Sequence, residues 1–410
     1  MSKEFFQVTP IEKIHEYIAA FSKADTETVP LMDAAGRIIA ETVTSDMDLP
    51  GFSRSTMDGY AVRAADTFGA SEANPAYFDI RGTIAMGETA EQPVSAGTAV
   101  QIATGGMLPP GADGVVMIEH AAEIDAGTLE VYTRIAPGAN VIEKDEDLQA
   151  DRAVLEPGAC IRPQEAGLLA AVGRTSVRVY KKPVIGIIST GDELVAADQK
   201  PASGQIRDVN TYTLSGLITD AGGVPWPTGI VADRFDELRT AAQNALDACD
   251  MVLISGGSSV GTRDLTIDVI NALPDSQILV HGIPVRPGKP TILATADGKA
   301  FWGLPGHVAS AMVVFQVFVK PFIRHIGGRA LFLRRPYPVY AILTRNVASA
   351  QGRVDYVRIR LIESGEGFQA QPILGPSGLI RPMVEADGLI EIDMNTEGLE
   401  KGAQVAVIPF

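Results

Sequence analysis

The chain has 410 residues and a mass of 43.4 kDa, too long for one ordinary compact core, so several domains are expected. Hydrophobic residues make up 46% and charged residues 20%, a balance that excludes extensive disorder. A net charge of −16 repels a polyphosphate backbone and excludes nucleic acid as an expected partner, whereas a small anion can still bind wherever a few cations and backbone N–H groups converge.

Cys160 and Cys249 lack metal-ligand spacing, so neither a zinc site nor a disulfide scaffold is expected. No basic-then-apolar leader opens the chain. The most apolar stretch, Val308 to Ile326, is interrupted by Gln316, Lys320 and Pro321. The expectation is no membrane span and a cytoplasmic location.

In chain order, Ile11, Ile14, Ile18 and Phe21 recur at helical spacing behind Thr9 and Pro10, which suit the N-cap and first-turn positions. From about Asp46 to Asp147, short β-branched runs such as Ala99 to Ile102 and Gly114 to Ile118 alternate with Gly and Pro, predicting a small β-rich domain. Pro163 to Val172 reads as a short helix. Beyond Lys182 strands and helices alternate: strand Val184 to Ser189, helix Tyr212 to Asp220, a strand ending at Val231, helix Phe235 to Ala248, strand Met251 to Ser255 and helix Leu265 to Leu273. Strands near Ile278, Thr291 and Phe301 and a long helix from Val308 complete it. After Gly327 the pattern is β-rich, with strands Tyr340 to Leu343, Val354 to Ile362, Gly388 to Ile392 and Val405 to Ile408 predicting a small terminal barrel or sandwich. The chain is therefore expected to be an α/β multidomain protein. Its expected parts are residues 1–46 with 148–180 as a discontinuous N-terminal domain, 47–147 as the β-rich insert, 181–327 as a central layered α/β domain, and 328–410 as the C-terminal β-domain.

Open α/β sheets bind ligands beyond the carboxyl ends of their strands. Ser255, Gly256, Gly257 and Ser258 open a Gly- and Ser-rich run that ends at Gly261, between a strand and a helix, where backbone donors can cradle a phosphate; a plain strand-to-helix turn is the alternative. No Gly-Lys-Ser/Thr ends the run, so it is not a Walker loop. Arg286 and Lys289 stand on a loop stiffened by Pro287 and Pro290, suited to an anion or to a solvated turn. Gly303 to His307 offers another helix N-terminus. Glu193, Asp233 and Asp264 lie at three strand ends and could converge on a hard cation such as magnesium, although Asp233 and Asp264 each also suit a helix cap.

Six motifs carry a resemblance: Ser55-Thr56-Met57-Asp58-Gly59-Tyr60-Ala61, Thr104-Gly105-Gly106, Ser189-Thr190-Gly191-Asp192-Glu193-Leu194, Ser255-Gly256-Gly257, Pro287-Gly288-Lys289-Pro290 and Gly303-Leu304-Pro305-Gly306. In this order, over nearly the whole chain, they resemble the MoeA family of molybdopterin molybdenumtransferases, related to the E domain of gephyrin. The resemblance implies a three-layer, MogA-like central domain, a C-terminal β-barrel and a homodimer. It also implies a site shared between the α/β domain of one subunit and the Asp58 and Thr104 loops of the other. Glu193, Asp233 and Asp264 would then handle magnesium, molybdate or pyrophosphate, and Ser255, Gly256, Gly257, Ser258, Arg286, Lys289, Pro305 and Ser377 would bind substrate.

The implied reaction inserts molybdate into adenylyl-molybdopterin and releases AMP, with a MogA-like adenylyltransferase and acceptor molybdoenzymes as partners. A non-catalytic pterin-binding scaffold and a tungstate-inserting paralogue are the alternatives. Two places depart from the family pattern: Val308 replaces a pocket proline after Gly306-His307, and Ile142 with Asp145 replaces an arginine and a glycine after Asn140-Val141.

Overall fold

The computed structural model describes residues 9–256, 265–330, 337–365 and 367–410. They form two compact units, one built from residues up to 41 with 157–162 and 176–410, the other from 42–156 with 163–175.

The larger unit holds the alternation expected from the sequence: β1 (Val184–Thr190), α1 (Asn210–Ala221), β2 (Val224–Val231), α2 (Phe235–Ala248), β3 (Met251–Ser255), α3 (Leu265–Asn271), β4 (Gln277–His281), β5 (Ile292–Ala296) and β6 (Lys299–Leu304). The sheet order is β2-β1-β3-β6-β5-β4. The first four strands pair in parallel, while β6 with β5 and β5 with β4 pair antiparallel. Strands buried on both faces need apolar residues at every position, which is why Ile185 to Ile188 and Met251 to Ile254 read as unbroken apolar runs. Ile187, Leu253 and Trp302 point to one side, against Leu214 and Ile218 of α1. Ile188, Val252, Ile254 and Phe301 point to the other, against Leu238, Ala242 and Leu246 of α2. The result is three layers. Each large apolar side chain so buried contributes about 1.5–3 kcal/mol.

After β6 a continuous helical stretch runs through α4 (Val308–Val314), a π-helical segment Phe315–Val319 and α5 (Lys320–Ile326). This is the long helix expected from Val308; Gln316, Lys320 and Pro321 interrupt its apolar run without breaking it, since the wide π turn precedes Pro321 and the Lys320 ammonium donates to Gln316 Oε1 at 2.8 Å. This helix is long and apolar enough to cross a membrane by length and composition alone. Its apolar side chains are spent inside the protein, because Phe315, Phe318, Phe322 and Ile323 are fully buried and Phe322 meets Trp302 edge-on at 5.0 Å between ring centres. The N-terminal helix Ile11–Glu16 adds Ile14 to the same core. Pro10 is its extended cap residue rather than its first turn.

Five strands, Val354–Ser364, Gly367–Ile373, Val339–Leu343, Gln404–Pro409 and Gly388–Ile392, pair in that order and close back on the first, giving the C-terminal barrel. Val285–Arg286 pairs in parallel with Val354–Asp355 and so ties the Arg286 loop to the barrel.

The smaller unit centres on a six-stranded sheet of Gly114–Met117, Gly59–Val62, Thr98–Ile102, Ala76–Ile84, Thr128–Val131 and Ala121–Asp125. A Cβ at Gly59 would lie 1.9 Å from the Val116 carbonyl oxygen, so only glycine lets these two strands meet.

Candidate functional site

Strand order reverses at β1 and β3, and the crevice at such a switch point is where open sheets take ligands. There the larger unit holds a cavity of about 1660 Å³. Its floor comes from four strand ends: Ser189, Thr190, Gly191 and Glu193 at the end of β1, Asp233 after β2, Ser255 and Gly256 at the end of β3, and Pro305 to His307 after β6. Arg286, Lys289, Arg353, Arg358 and Ser377 also line the cavity.

Buried polar groups hold this floor in place. Asp208, 6% exposed, accepts from Ser189 Oγ at 3.1 Å, Thr211 N–H at 3.1 Å and Thr211 Oγ1 at 2.5 Å. The Asn210 amide donates to Ser255 Oγ at 2.6 Å and to the Gly306 carbonyl at 2.9 Å, joining the turns after β3 and β6. Its Oδ1 is buried without a partner, as is Nη1 of Arg358. An unmet buried polar atom is costly, so both mark places where a ligand group would be stabilising. Burial also holds the Arg358 guanidinium below the ordinary arginine value.

At the ends of β1 and β2, Thr190 Oγ1 donates to Asp233 Oδ1 at 2.5 Å, and the Asp233 N–H donates to Asp192 Oδ1 at 3.2 Å. Asp233 thus belongs to the strand-end network and does not cap α2, whose cap residue is Arg234. Glu193 folds its carboxylate back over Gly191, where a Cβ would come within 2.7 Å of Oε2. Arg286 shares Asp355 with Arg353, at 3.7 Å and 2.8 Å respectively. Asp355 is 4% exposed, so this buried carboxylate fixes the two cations.

His307 Nδ1 and Ser377 Oγ lie 2.9 Å apart, and Ala309 N–H donates to the Ser377 carbonyl at 3.0 Å, fastening the Ser377 turn to the start of α4. Arg358 Nη2 donates to the Gly375 carbonyl at 2.7 Å from the other side.

The structure thus brings Glu193, Asp233, Ser255, Gly256, Arg286, Lys289, Pro305 and Ser377 to one cavity. Gly257, Ser258 and Asp264 lie outside the described residues. Among the described residues, no three His, Cys, Asp or Glu side chains are grouped to hold a metal ion. Asp58 and Thr104 belong to the smaller unit and are paired there. Asp58 Oδ1 accepts from Thr104 N–H at 2.7 Å and from its hydroxyl at 2.9 Å. These bonds, the backbone one foremost, hold the Asp58 carboxyl below its ordinary value of 3.8. Its contribution to this loop is therefore fully present above pH 3.8 and is lost as pH falls through the lowered folded value. We expect the Thr104 amide resonance to stay fixed from pH 7 to 4 and to move only below that. Movement centred at or above pH 4 would show that the pair does not hold the carboxylate.

Sequence reasoning overlooked Asp208, Asn210, Arg353, Arg358 and Asp355. A signal existed for the first two, since Asp208 and Asn210 flank the start of α1 in the manner of capping residues. The other three sit within or beside an ordinary barrel strand.

Three family models match the chain: the MoeA N-terminal region (domain I and II) at residues 9–173, the Probable molybdopterin binding domain at 186–325, and the MoeA C-terminal region (domain IV) at 340–410. A protein of Methanocaldococcus jannaschii named for molybdopterin biosynthesis is 36% identical over 97% of this chain and 94% of its own length. The chain belongs to the MoeA family. A molybdopterin molybdenumtransferase of Bacillus subtilis is 32% identical over 97% of the chain and 93% of its own length. A crystal structure of a molybdopterin biosynthesis MoeA protein from Pyrococcus horikoshii superposes with a TM-score of 0.78 at 36% identity, covering 98% of this chain and 99% of that one.

Within this MoeA-family chain the departures gain a physical setting. Asp145 has φ +64°, in the left-handed region that glycine enters freely and Asp tolerates better than most residues. Val308 is 6% exposed and lines the cavity, so an apolar wall is retained where proline was expected.

Proposed function

We propose that this chain is a molybdopterin molybdenumtransferase, inserting molybdate into adenylyl-molybdopterin with release of AMP. The observation that carries the reading is the switch-point cavity, which brings the cations Arg286, Lys289, Arg353 and Arg358 and the carboxylates Glu193 and Asp233 into one lining. Arg286 and Arg353 are held by the buried Asp355, and Arg358 Nη1 is buried without a partner, so the cavity presents a fixed cationic cluster in which an anionic ligand would be stabilised. The family role in molybdenum cofactor biosynthesis names that ligand's class.

Water attacks a phosphorus of the phosphoanhydride, giving AMP and the pterin monophosphate, while the two dithiolene thiols replace one oxo group of molybdate, which leaves as water with their two protons and no change in oxidation state. Lys289 and Arg286 would orient the phosphates. Asn210 Oδ1 and Arg358 Nη1 would meet polar groups of the substrate. Glu193 and Asp233 are hard oxygen donors brought to one cavity from two strand ends, and they would be the residues to hold magnesium there. Bound there, magnesium would offset charge developing on the departing phosphate. We assign no covalent nucleophile. A cytoplasmic homodimer that draws Asp58 and Thr104 from the second subunit, receives its substrate from a MogA-like adenylyltransferase and hands the product to acceptor molybdoenzymes completes the reading. Light scattering should then give twice the 43.4 kDa chain mass; a fully active particle of one chain mass would overturn the shared site.

The direct test is incubation with adenylyl-molybdopterin, molybdate and magnesium while AMP is followed. Lys289→Met should raise the KM for the pterin about tenfold and flatten its salt dependence, because a screened cation has been lost. No AMP from the unaltered protein would refute the activity, and an unchanged KM at every salt concentration would remove Lys289 from the binding wall.

A further inference from the structure

The larger unit has a second, smaller cavity of about 120 Å³, lined from five separate stretches of chain. Arg37, Lys181, Lys182, Arg324 and Arg329 all line it, against Asp220 as the one carboxylate among its described lining residues. Such a concentration is unexpected in a protein with 50 acidic and 34 basic side chains.

Two of these cations have partners: Arg37 pairs with Glu27 and donates to the Tyr180 carbonyl at 2.9 Å, and Lys181 faces Asp25 at 3.7 Å. The helices α1 and α5 end here, at cap residues Gly222 and Gly327. Their C-termini supply roughly half a negative charge each. That offsets part of the remaining charge and leaves an excess. Arg324 Nε is buried without a hydrogen-bond partner, and a guanidinium in such a place keeps its charge and lacks an acceptor. Burial and the neighbouring Arg329 both push the Arg324 guanidinium below its ordinary value, as expected where like charges are held together without a counter-ion.

We infer that this cavity is a binding site for a small tetrahedral oxyanion, inorganic phosphate or a phosphomonoester group, held by Arg324, Arg329 and Lys182 and separate from the switch-point cavity. Its volume suits one such group; a nucleoside attached to it would extend outside. Lys182 comes from the segment before β1, and Arg324 and Arg329 come from the last turn of α5 and just beyond it, so an anion here would join these two parts of the larger unit.

Cys160 lines this cavity and is partly accessible, whereas Cys249 is 2% exposed and burial pushes its thiol up to about 11. The chain's two cysteines thus supply a reporter and an internal reference. In the full-length protein, 10 mM-scale phosphate (roughly, at fixed ionic strength) should slow iodoacetamide alkylation of Cys160 severalfold, read by mass spectrometry, without changing Cys249. Potassium chloride at the same ionic strength should not. Arg329→Gln should abolish the protection, and Lys182→Gln should weaken it, which keeps the test valid if the first variant folds poorly. Lys289→Met, in the other cavity, should leave it intact. Protection by AMP but not by free phosphate would assign the site to a phosphomonoester, and protection by both to the free oxyanion. Equal slowing by chloride, no slowing by either phosphate source, or loss of protection in Lys289→Met with retention in Arg329→Gln would overturn the inference.

Discussion

Gly256→Ala should destabilise the protein by at least about 2 kcal/mol and abolish AMP release. Gly256 has φ +120°, a conformation that costs an L-residue roughly 1–3 kcal/mol. Its new Cβ would also lie 2.1 Å from the Thr190 carbonyl oxygen and 3.1 Å from Thr190 Cγ2. Thr190 ends β1, a strand paired on both sides, so the oxygen has no room to retreat. Relief must come from the turn after β3, and that turn leads out of Ser255, which is bonded to Asn210. Gly216, inside α1, is the matched control, since a Cβ there meets nothing within 4 Å and its φ is not positive. Gly216→Ala should therefore stabilise by up to about 1 kcal/mol through helix propensity. Urea unfolding of the two variants separates the cases. A Gly256→Ala midpoint within error of the unaltered protein, with AMP release retained, would show that the turn tolerates a side chain and is not held as described.

These glycines show which parts of the site local sequence can carry. Gly256 is legible because close approach of backbone to backbone selects glycine regardless of what lies elsewhere, and the strand before it is legible because burial on both faces demands an apolar residue at every position. The layered order of residues 184 to 326 followed from those two signals. By contrast, Arg353, Arg358 and Asp355 enter the cavity from or beside the first barrel strand, and only the pairing of Val285–Arg286 with Val354–Asp355 brings them there. That pairing is tertiary. The strand Gly367–Ile373 was missed for a local reason, since Gly367 and Pro372 weaken its pattern while its partners on both sides supply the pairing. Asp208 gave a local signal that pointed to a helix cap, and it does serve Thr211; its bond to Ser189 across the strand end was not visible.

The same distinction bears on Asp233, whose position before α2 suited a cap as well as a metal site. The structure gives α2 a different cap residue, Arg234, and turns the Asp233 carboxylate to the Thr190 hydroxyl. Asp233→Asn should then preserve the fold, because the amide oxygen accepts the same hydrogen bond; the change in stability should stay within about 0.5 kcal/mol. Magnesium prefers a charged oxygen donor, so the neutral amide should lower magnesium-dependent AMP release by roughly 100-fold, a barrier increase of about 2.7 kcal/mol. Thr190→Val is the complementary change: it keeps the carboxylate and removes the bond that aims it, and a severalfold loss of rate is expected. The two variants also differ in magnesium response, since more magnesium should partly rescue Thr190→Val and not Asp233→Asn. An Asp233→Asn protein that melts several degrees early yet turns over normally when folded would give Asp233 a purely structural role. One that keeps both stability and rate would remove Asp233 from the metal site and leave Glu193, of the two described carboxylates proposed for it, to serve the metal.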